Sequence, residues 1–226
     1  MNNTSLLLAM QFSDYMNELL ITLKITLLST AIAYVFGLAI GVCLFITKRG
    51  GLLQNRIVNT VLGLIVNVLR SVPFVILLVL TQPIAKFLTG SKMLDDAFIV
   101  YLTLSAIPFV ARLCENSFNE VNGGIIESAV SMGASKLQII FKVLLPESKP
   151  SLLLGLAIAL VTVLGYTPMS YLVGGGGLGS MAVSYGLYKF DKTTMYIASL
   201  VLIVLVQIIQ IGCAKLAQKW DKRKKI

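Results

Sequence analysis

The 226-residue chain has no histidine, and acidic side chains are scarce: ten Asp and Glu stand against nineteen Lys and Arg. Without an imidazole there is no His-based general acid/base catalysis, no zinc site of the His type and no HExxH membrane protease. Cysteine is sparse too. Cys43, Cys114 and Cys213 lie far apart in or beside apolar runs, which gives neither a disulfide framework nor metal-ligand spacing, so they read as small hydrophobes. Met1 to Asn17 carries no basic stretch and no small-residue cleavage site, so a removed signal peptide is not expected. The run Gly174–Ser180, GGGGLGS, lacks the lysine of a phosphate loop and does not sit between a strand and a helix. It reads as a flexible extracellular connection, and the chain offers no nucleotide site.

What the sequence has in abundance is apolar length. Hydrophobic residues make up 57% and charged ones 13%, with a mean hydropathy of +0.87. Soluble domains run nearer about 45–50% apolar and about 25% charged, and a bilayer-spanning helix needs about 20 apolar residues. Five such runs are expected to span: about Leu19–Ile46, Ile57–Leu80, Phe98–Cys114, Ser151–Val173 and Thr193–Ala214. The expectation is an all-α integral membrane protein, with a short surface helix over Ser5–Phe12. An odd span count and the lack of an internal repeat argue against the inverted-repeat secondary transporters.

The net charge of +9 would suggest nucleic acid in a soluble protein. Here the basic residues occupy short loops and the tail Lys215, Lys219, Lys222, Arg223, Lys224 and Lys225, as membrane topology requires, so no nucleic-acid partner is expected. Placing Lys48, Arg49, Arg56, Lys136, Lys142, Lys149 and the tail inside leaves only Lys86, Lys92, Lys189 and Lys192 outside. The positive-inside rule then puts the N-terminus outside and the C-terminus in the cytoplasm.

Polar residues inside the spans are the candidate functional groups. Asn59, Gly63, Asn67 and Arg70 share a helix face, and Ser71 and Pro73 follow. Placed well inside a span, Arg70 would cost about 2.5–3.5 kcal/mol unpaired, so it faces protein or a wet cavity; lining a pathway and merely packing the bundle both satisfy that. Arg112 and Glu115 can pair at i, i+3 near the cytoplasmic end of the third span, a structural arrangement more than a proton relay. Gly155, Ala159, Thr162, Tyr166 and Met169 form a stripe on the fourth span: the small residues suit a helix–helix contact, and Tyr166 and Met169 could line or gate a pathway. Gly165 and Pro168 make the outer half of that helix deformable.

Between the third and fourth spans, Glu115–Pro150 is too polar to span and too apolar for a linker. Ile125–Lys142 reads as helical, bent at Gly133 and closed by Pro146 and Pro150. Ile125, Ile126, Ala129 and Met132 place apolar groups outside the bilayer, inviting either a partner groove or the inner leaflet.

Glu127-Ser-Ala129, Gly133-Ala134 and Leu145-Pro146 resemble the EAA coupling loop of type I ABC importer permeases, with Ser128 in place of the usual first Ala. Arg70-Ser-Val-Pro-Phe-Val-Ile-Leu-Leu-Val79, Ile107-Pro-Phe-Val-Ala-Arg112 and Gly165-Tyr-Thr-Pro-Met169 resemble the methionine branch of that family. The resemblance covers about residues 19–211, flanked by an extracytoplasmic segment, 1–18, and a basic tail, 212–226. It implies the type I importer permease fold, with a coupling helix within about 120–147 whose Glu127, Ala129, Gly133, Ala134, Leu145 and Pro146 engage an ATPase. It further implies a homodimer in the cytoplasmic membrane, two ABC ATPase subunits that bind ATP and Mg, and a methionine-binding protein or lipoprotein outside. The chain itself would be a permease, not an enzyme, with no cofactor of its own. Arg70, Ser71, Pro73, Tyr166 and Met169 would belong to the pathway, with Met169 as a hydrophobic gate. The cargo would be L- or D-methionine, with another amino acid or a methionine-containing dipeptide as the alternative. An ATP-independent transporter would need intramembrane acids, and only Glu115, near a span end, qualifies. A membrane enzyme would need clustered carboxylates, and the one adjacent acidic pair, Asp95-Asp96, reads as an outside loop.

Overall fold

The computed structural model describes residues 3–220, with side chains from Phe12 onward; the basic positions Lys222–Lys225 lie outside the described residues. Among the described residues, four helices are long and apolar enough to cross a membrane, and a fifth crossing is available as a bent pair. α1 (Asn3–Thr47) is continuous, absorbing the short surface helix expected over 5–12. α2 (Arg56–Ser71) and α3 (Phe74–Leu80) are the expected second span, bent by 109°. The cause is Pro73, which disfavours the α region for its predecessor: Val72 sits at φ −79°, ψ 124°, and the helix ends there. α4 (Gln82–Thr89) was not anticipated; it is closed by Gly90 in the left-handed region.

α5 (Leu94–Asn119) runs well beyond the expected Phe98–Cys114. Asp95 and Asp96 belong to its first turn, where carboxylates suit the helix dipole, and not to a loop. α6 (Gly123–Ser131) and the single turn α7 (Lys136–Gln138) follow. A π segment, Ile139–Leu144, leads directly into α8 (Leu145–Tyr166), and a 3-10 stretch, Thr167–Val173, completes an unbroken helical path from Lys136 to Val173. Pro146 and Pro150 therefore do not close the preceding helix. The π turn shifts the bonding, with the Leu145 N–H donating to Ile140, and the Ser148 hydroxyl donates to the Leu144 carbonyl at 2.7 Å. A local π adjustment of this kind is one way a helix continues through proline. α9 (Leu178–Val183), a π turn (Ser184–Tyr188) and α10 (Lys192–Trp220) end the described chain; residues 212–220, expected in the tail, are the last turns of α10.

The chain divides into two compact units: residues up to Ala31 with 74–104 and 160–209, and residues 32–73 with 105–159 and those from Gln210 on. In the first unit Ile25, Phe98, Tyr101, Leu102, Val163 and Leu178 are buried, and α10 turns Leu200, Ile203, Val204 and Ile208 outward, the pattern of a lipid-facing helix. In the second, Leu44, Val66 and Ala111 form a core with Ile40 and Leu62. Gly37 and Gly41, spaced as GxxxG, let α1 approach α5 closely: a Cβ on Gly37 would lie 2.6 Å from Val110 Cγ1, and one on Gly41 2.7 Å from Cys114 Cβ. Gly155 of the small-residue stripe likewise faces Leu113 and Ser117 across a helix contact.

Candidate functional site

In the second unit, the motif around Glu127 builds a helical hairpin whose geometry follows from its residue types. Asn122 caps α6 by accepting from the Gly124 N–H at 2.9 Å. At the other end Gly133 takes φ +78°, a conformation L side chains rarely adopt. Its N–H donates to the Val130 carbonyl (2.9 Å), and the Ala134 N–H donates to the Ala129 carbonyl (3.1 Å). This pair of bonds around a left-handed glycine is the Schellman motif. Ser135 then starts α7 through a capping box with Gln138. Ala129, Gly133 and Ala134 thus all take part in one turn.

The same turn decides which side chains are presented. Ala129 is buried and so supports the hairpin from within; it does not belong to the exposed surface. Met132 is 81% exposed, and Ile125, Val130 and Leu137 are exposed with it, while Glu127 lies at the surface among them. A cleft of about 670 Å³ runs between this helix and the Gly50–Leu52 turn, lined by Ile126, Glu127, Val130 and Lys136 among others. Leu145 and Pro146 sit at the start of α8, past the π turn, where Leu145 carries the π-type bond.

Beside the hairpin, Arg112 of α5 holds α2. Its guanidinium pairs with Glu115 at 2.5 Å and donates to the Gly63 carbonyl at 3.1 Å and to Asn67 Oδ1 at 2.9 Å. The expected i, i+3 pair forms, and the Asn59/Gly63/Asn67 face is the surface it grips: Asn59 also donates to the Leu44 carbonyl at 2.8 Å. Lys48, just past α1, donates to Asn119 Oδ1 and covers the Phe45 ring at 4.0 Å. Burial pulls its ammonium below the ordinary lysine range, with Glu115 acting in the opposite direction.

The five pathway residues fall in different units. Arg70 and Ser71 end α2 and Pro73 begins the bend, all exposed in the second unit; Arg70 is therefore in the last turn of a helix, where a cation suits the dipole, next to the break in the bent pair. Tyr166 and Met169 lie in the first unit, half-buried. The Tyr166 ring stacks on Phe74 at 4.9 Å with 7° between planes, and Phe74 meets Phe98 edge-on at 6.0 Å. Phe74 was missed as a partner because the Pro73 bend that delivers it is invisible to a periodicity reading. Met169 is in the 3-10 stretch after Pro168.

Also in the first unit, the glycine run is a pinned turn, and the expectation of a flexible connection fails. The Gly176 N–H donates to Asp95 Oδ1 at 2.7 Å, the Gly177 N–H to the Glu18 carboxylate, and the Leu178 N–H to Thr22 Oγ1 at 2.8 Å. Three consecutive backbone donors thus meet side-chain acceptors from α1 and α5, which fix the turn.

Residues 33–222 match the family model described as the binding-protein-dependent transport system inner membrane component. The chain belongs to this family. It is an inner-membrane transport component with several membrane-crossing helices. Among its relatives, the Vibrio cholerae serotype O1 protein named "Probable D-methionine transport system permease protein MetI" is 46% identical over 202 residues, covering 89% of this chain and 90% of that one. The Bacillus subtilis "Methionine import system permease protein MetP" is 39% identical over 180 residues, covering 80% and 81%. Among solved structures, a chain of the MetNI methionine ABC transporter in an inward-facing conformation superposes with a TM-score of 0.91 at 35% identity, covering 98% of this chain and 100% of that one. A chain of an amino acid ABC transporter matches at a TM-score of 0.72 and 18% identity, a likeness of fold alone.

Proposed function

We propose that this chain is the permease of an ATP-driven methionine importer, working as a homodimer on two ABC ATPase subunits and fed by an extracytoplasmic methionine-binding protein. The observation that carries the coupling part is the hairpin: a rigid Schellman turn presenting Met132, Ile125 and Val130 to solvent, an apolar knob suited to a partner groove. The methionine cargo is supported by the names of the relatives that align over most of this chain. In this reading Glu127 and the hairpin surface meet the ATPase, while Ala129, Gly133, Ala134, Leu145 and Pro146 set its shape and its junction to α8. ATP and Mg belong to the partner subunits. Closure of the ATPases would move the hairpins and turn the permease from inward- to outward-facing, and hydrolysis would reset it. The N-terminus lies outside and the C-terminus inside, by the distribution of Lys and Arg. Tyr166 and Met169, with Arg70, Ser71 and Pro73 at the α2 bend, are assigned to the pathway, Met169 as its gate.

The test is methionine uptake into proteoliposomes holding this chain, its ATPase and its binding protein, with and without internal ATP. ATP-dependent accumulation that excess D- or L-methionine competes away is expected. ATP-stimulated turnover without methionine uptake would keep the importer and reassign the cargo to another amino acid or a methionine-containing dipeptide. Uptake indifferent to ATP would overturn the importer.

A further inference from the structure

The turn that joins α1 to α2, within the second unit, borders a solvent-open polar cavity of about 540 Å³ lined by Thr47, Arg49, Gln54, Arg56 and Asn59. Among the described residues no acidic side chain lines it and neither Arg49 nor Arg56 has an ion-pair partner. Its other polar groups are already oriented. Asn59 donates to the Leu44 carbonyl and to Thr47 Oγ1, which fixes the floor. Gln54 Oε1 accepts from the Gly50 N–H at 3.1 Å, which commits its oxygen to the backbone and leaves its amide N–H groups as donors. Two guanidiniums and an amide donor around one cavity, with no counter-charge, form a receptor for an oxyanion; guanidinium is the side chain best matched to phosphate oxygens.

We propose that this cavity binds a phosphate or phosphodiester anion, and that the group it serves is the head of an acidic phospholipid. Two observations favour a lipid source over a soluble one. The cavity lies where two membrane helices meet the bilayer edge, since Thr47 is the last residue of the first span and Arg56 the first of the bent pair. From it, the exposed residues Ile57, Val61, Leu64 and Val68 run along one face of α2 at spacings of four, three and four, an apolar track on which an acyl chain can lie while its head stays at Arg49 and Arg56. The positive-inside assignment makes this the cytoplasmic leaflet, where acidic headgroups attract basic segments.

The experiment titrates the delipidated full-length chain in detergent, with binding read by native mass spectrometry. The probes are phosphatidylglycerol, zwitterionic phosphatidylcholine and inorganic phosphate. The wild type should bind phosphatidylglycerol, and the double variant Arg49→Gln/Arg56→Gln should bind it about tenfold or more weakly, the scale of losing charge-assisted hydrogen bonds. Phosphatidylcholine should not distinguish the two. Arg49→Lys/Arg56→Lys keeps the charge and should bind nearer to wild type, which separates loss of the site from loss of the fold. Phosphate binding that the Gln pair abolishes, with phosphatidylglycerol indifferent to it, would support the anion site and give it a soluble source. Equal affinity of wild type and Gln pair for both anions would overturn the proposal.

Discussion

Two glycine turns in this protein use the same backbone freedom in opposite ways. Gly133 at φ +78° and Gly177 at φ +101° both adopt a conformation that other residues rarely take. At Gly133 the turn is closed by its own backbone, and a Cβ there would meet nothing within 4 Å. At Gly177 the turn is closed by side chains from elsewhere: Glu18 and Thr22 of α1 and, one residue earlier, Asp95 of α5. A Cβ on Gly177 would lie 3.0 Å from Thr22 Oγ1, and one on Gly179 2.6 Å from the Pro168 nitrogen. The first turn is self-sufficient and leaves a surface free; the second is part of the interior and ties a connection to two helices. The difference shows that a glycine-rich motif does not by itself say whether it shapes an outward surface or an inward joint. The location of its hydrogen-bond partners does.

The largest effect should come from filling the interior turn. Gly177→Val adds about 1–3 kcal/mol of backbone strain and a comparable overpacking cost against Thr22, so purified protein should show a sharply lowered melting temperature or poor membrane abundance. Next is Glu18→Ala, which strips the acceptor from the Gly177 N–H and should cost about 1–3 kcal/mol. Glu18→Gln keeps an acceptor and should recover part of it, and thermal unfolding in detergent ranks the three. If Glu18→Ala unfolds like wild type, the turn is not held by its side-chain partners and the contrast fails.

Gly133→Val meets no neighbour and carries only the strain of its φ, about 1–3 kcal/mol. It should insert normally yet lose ATPase co-purification, since the hairpin must distort. A smaller effect is expected at the α9–α10 connection, where Asp191 accepts from the Thr193 and Thr194 N–H groups and the Thr194 hydroxyl. Those bonds hold its carboxyl below the ordinary aspartate range. Because the folded value is the lower one, the stabilisation is present above the unfolded value and lost as pH falls through the folded one. Wild type should therefore show a shallow loss of melting temperature on acidification below about pH 4 that Asp191→Ala lacks.

Composition and run length were enough to read the membrane class and the span positions, because the bilayer sets a minimum apolar length that few other folds satisfy. The bend of the hairpin was legible too, in Gly133; the Ser135/Gln138 capping box that starts the second helix has a sequence signal of its own, which went unread. What escaped was decided by contacts remote in sequence. Pro73 stands at the 109° bend of the second span, whereas Pro146 and Pro150 sit in an unbroken helical path entered through a π turn, and the prolines alone do not signal the difference. The glycine run read as flexible because Glu18 and Asp95 are 159 and 81 residues away from the amides they hold. The Gly37/Gly41 contact did have a signal, the GxxxG spacing inside an apolar run, and so was legible in principle. Ala129 was singled out with the motif, and its burial makes it a support of the hairpin and leaves the exposed surface to Met132 and its neighbours.

The central claim is that the exposed apolar face of the hairpin is where ATP-driven work enters the permease. Met132→Asp tests it most directly, because Met132 is 81% exposed and an acidic residue at the C-terminal end of α6 should cost only about 0.3–1 kcal/mol of stability. ATP-driven methionine uptake by this variant, at matched membrane abundance and melting temperature, should fall to background together with ATPase co-purification. Uptake and co-purification at wild-type levels would contradict the account.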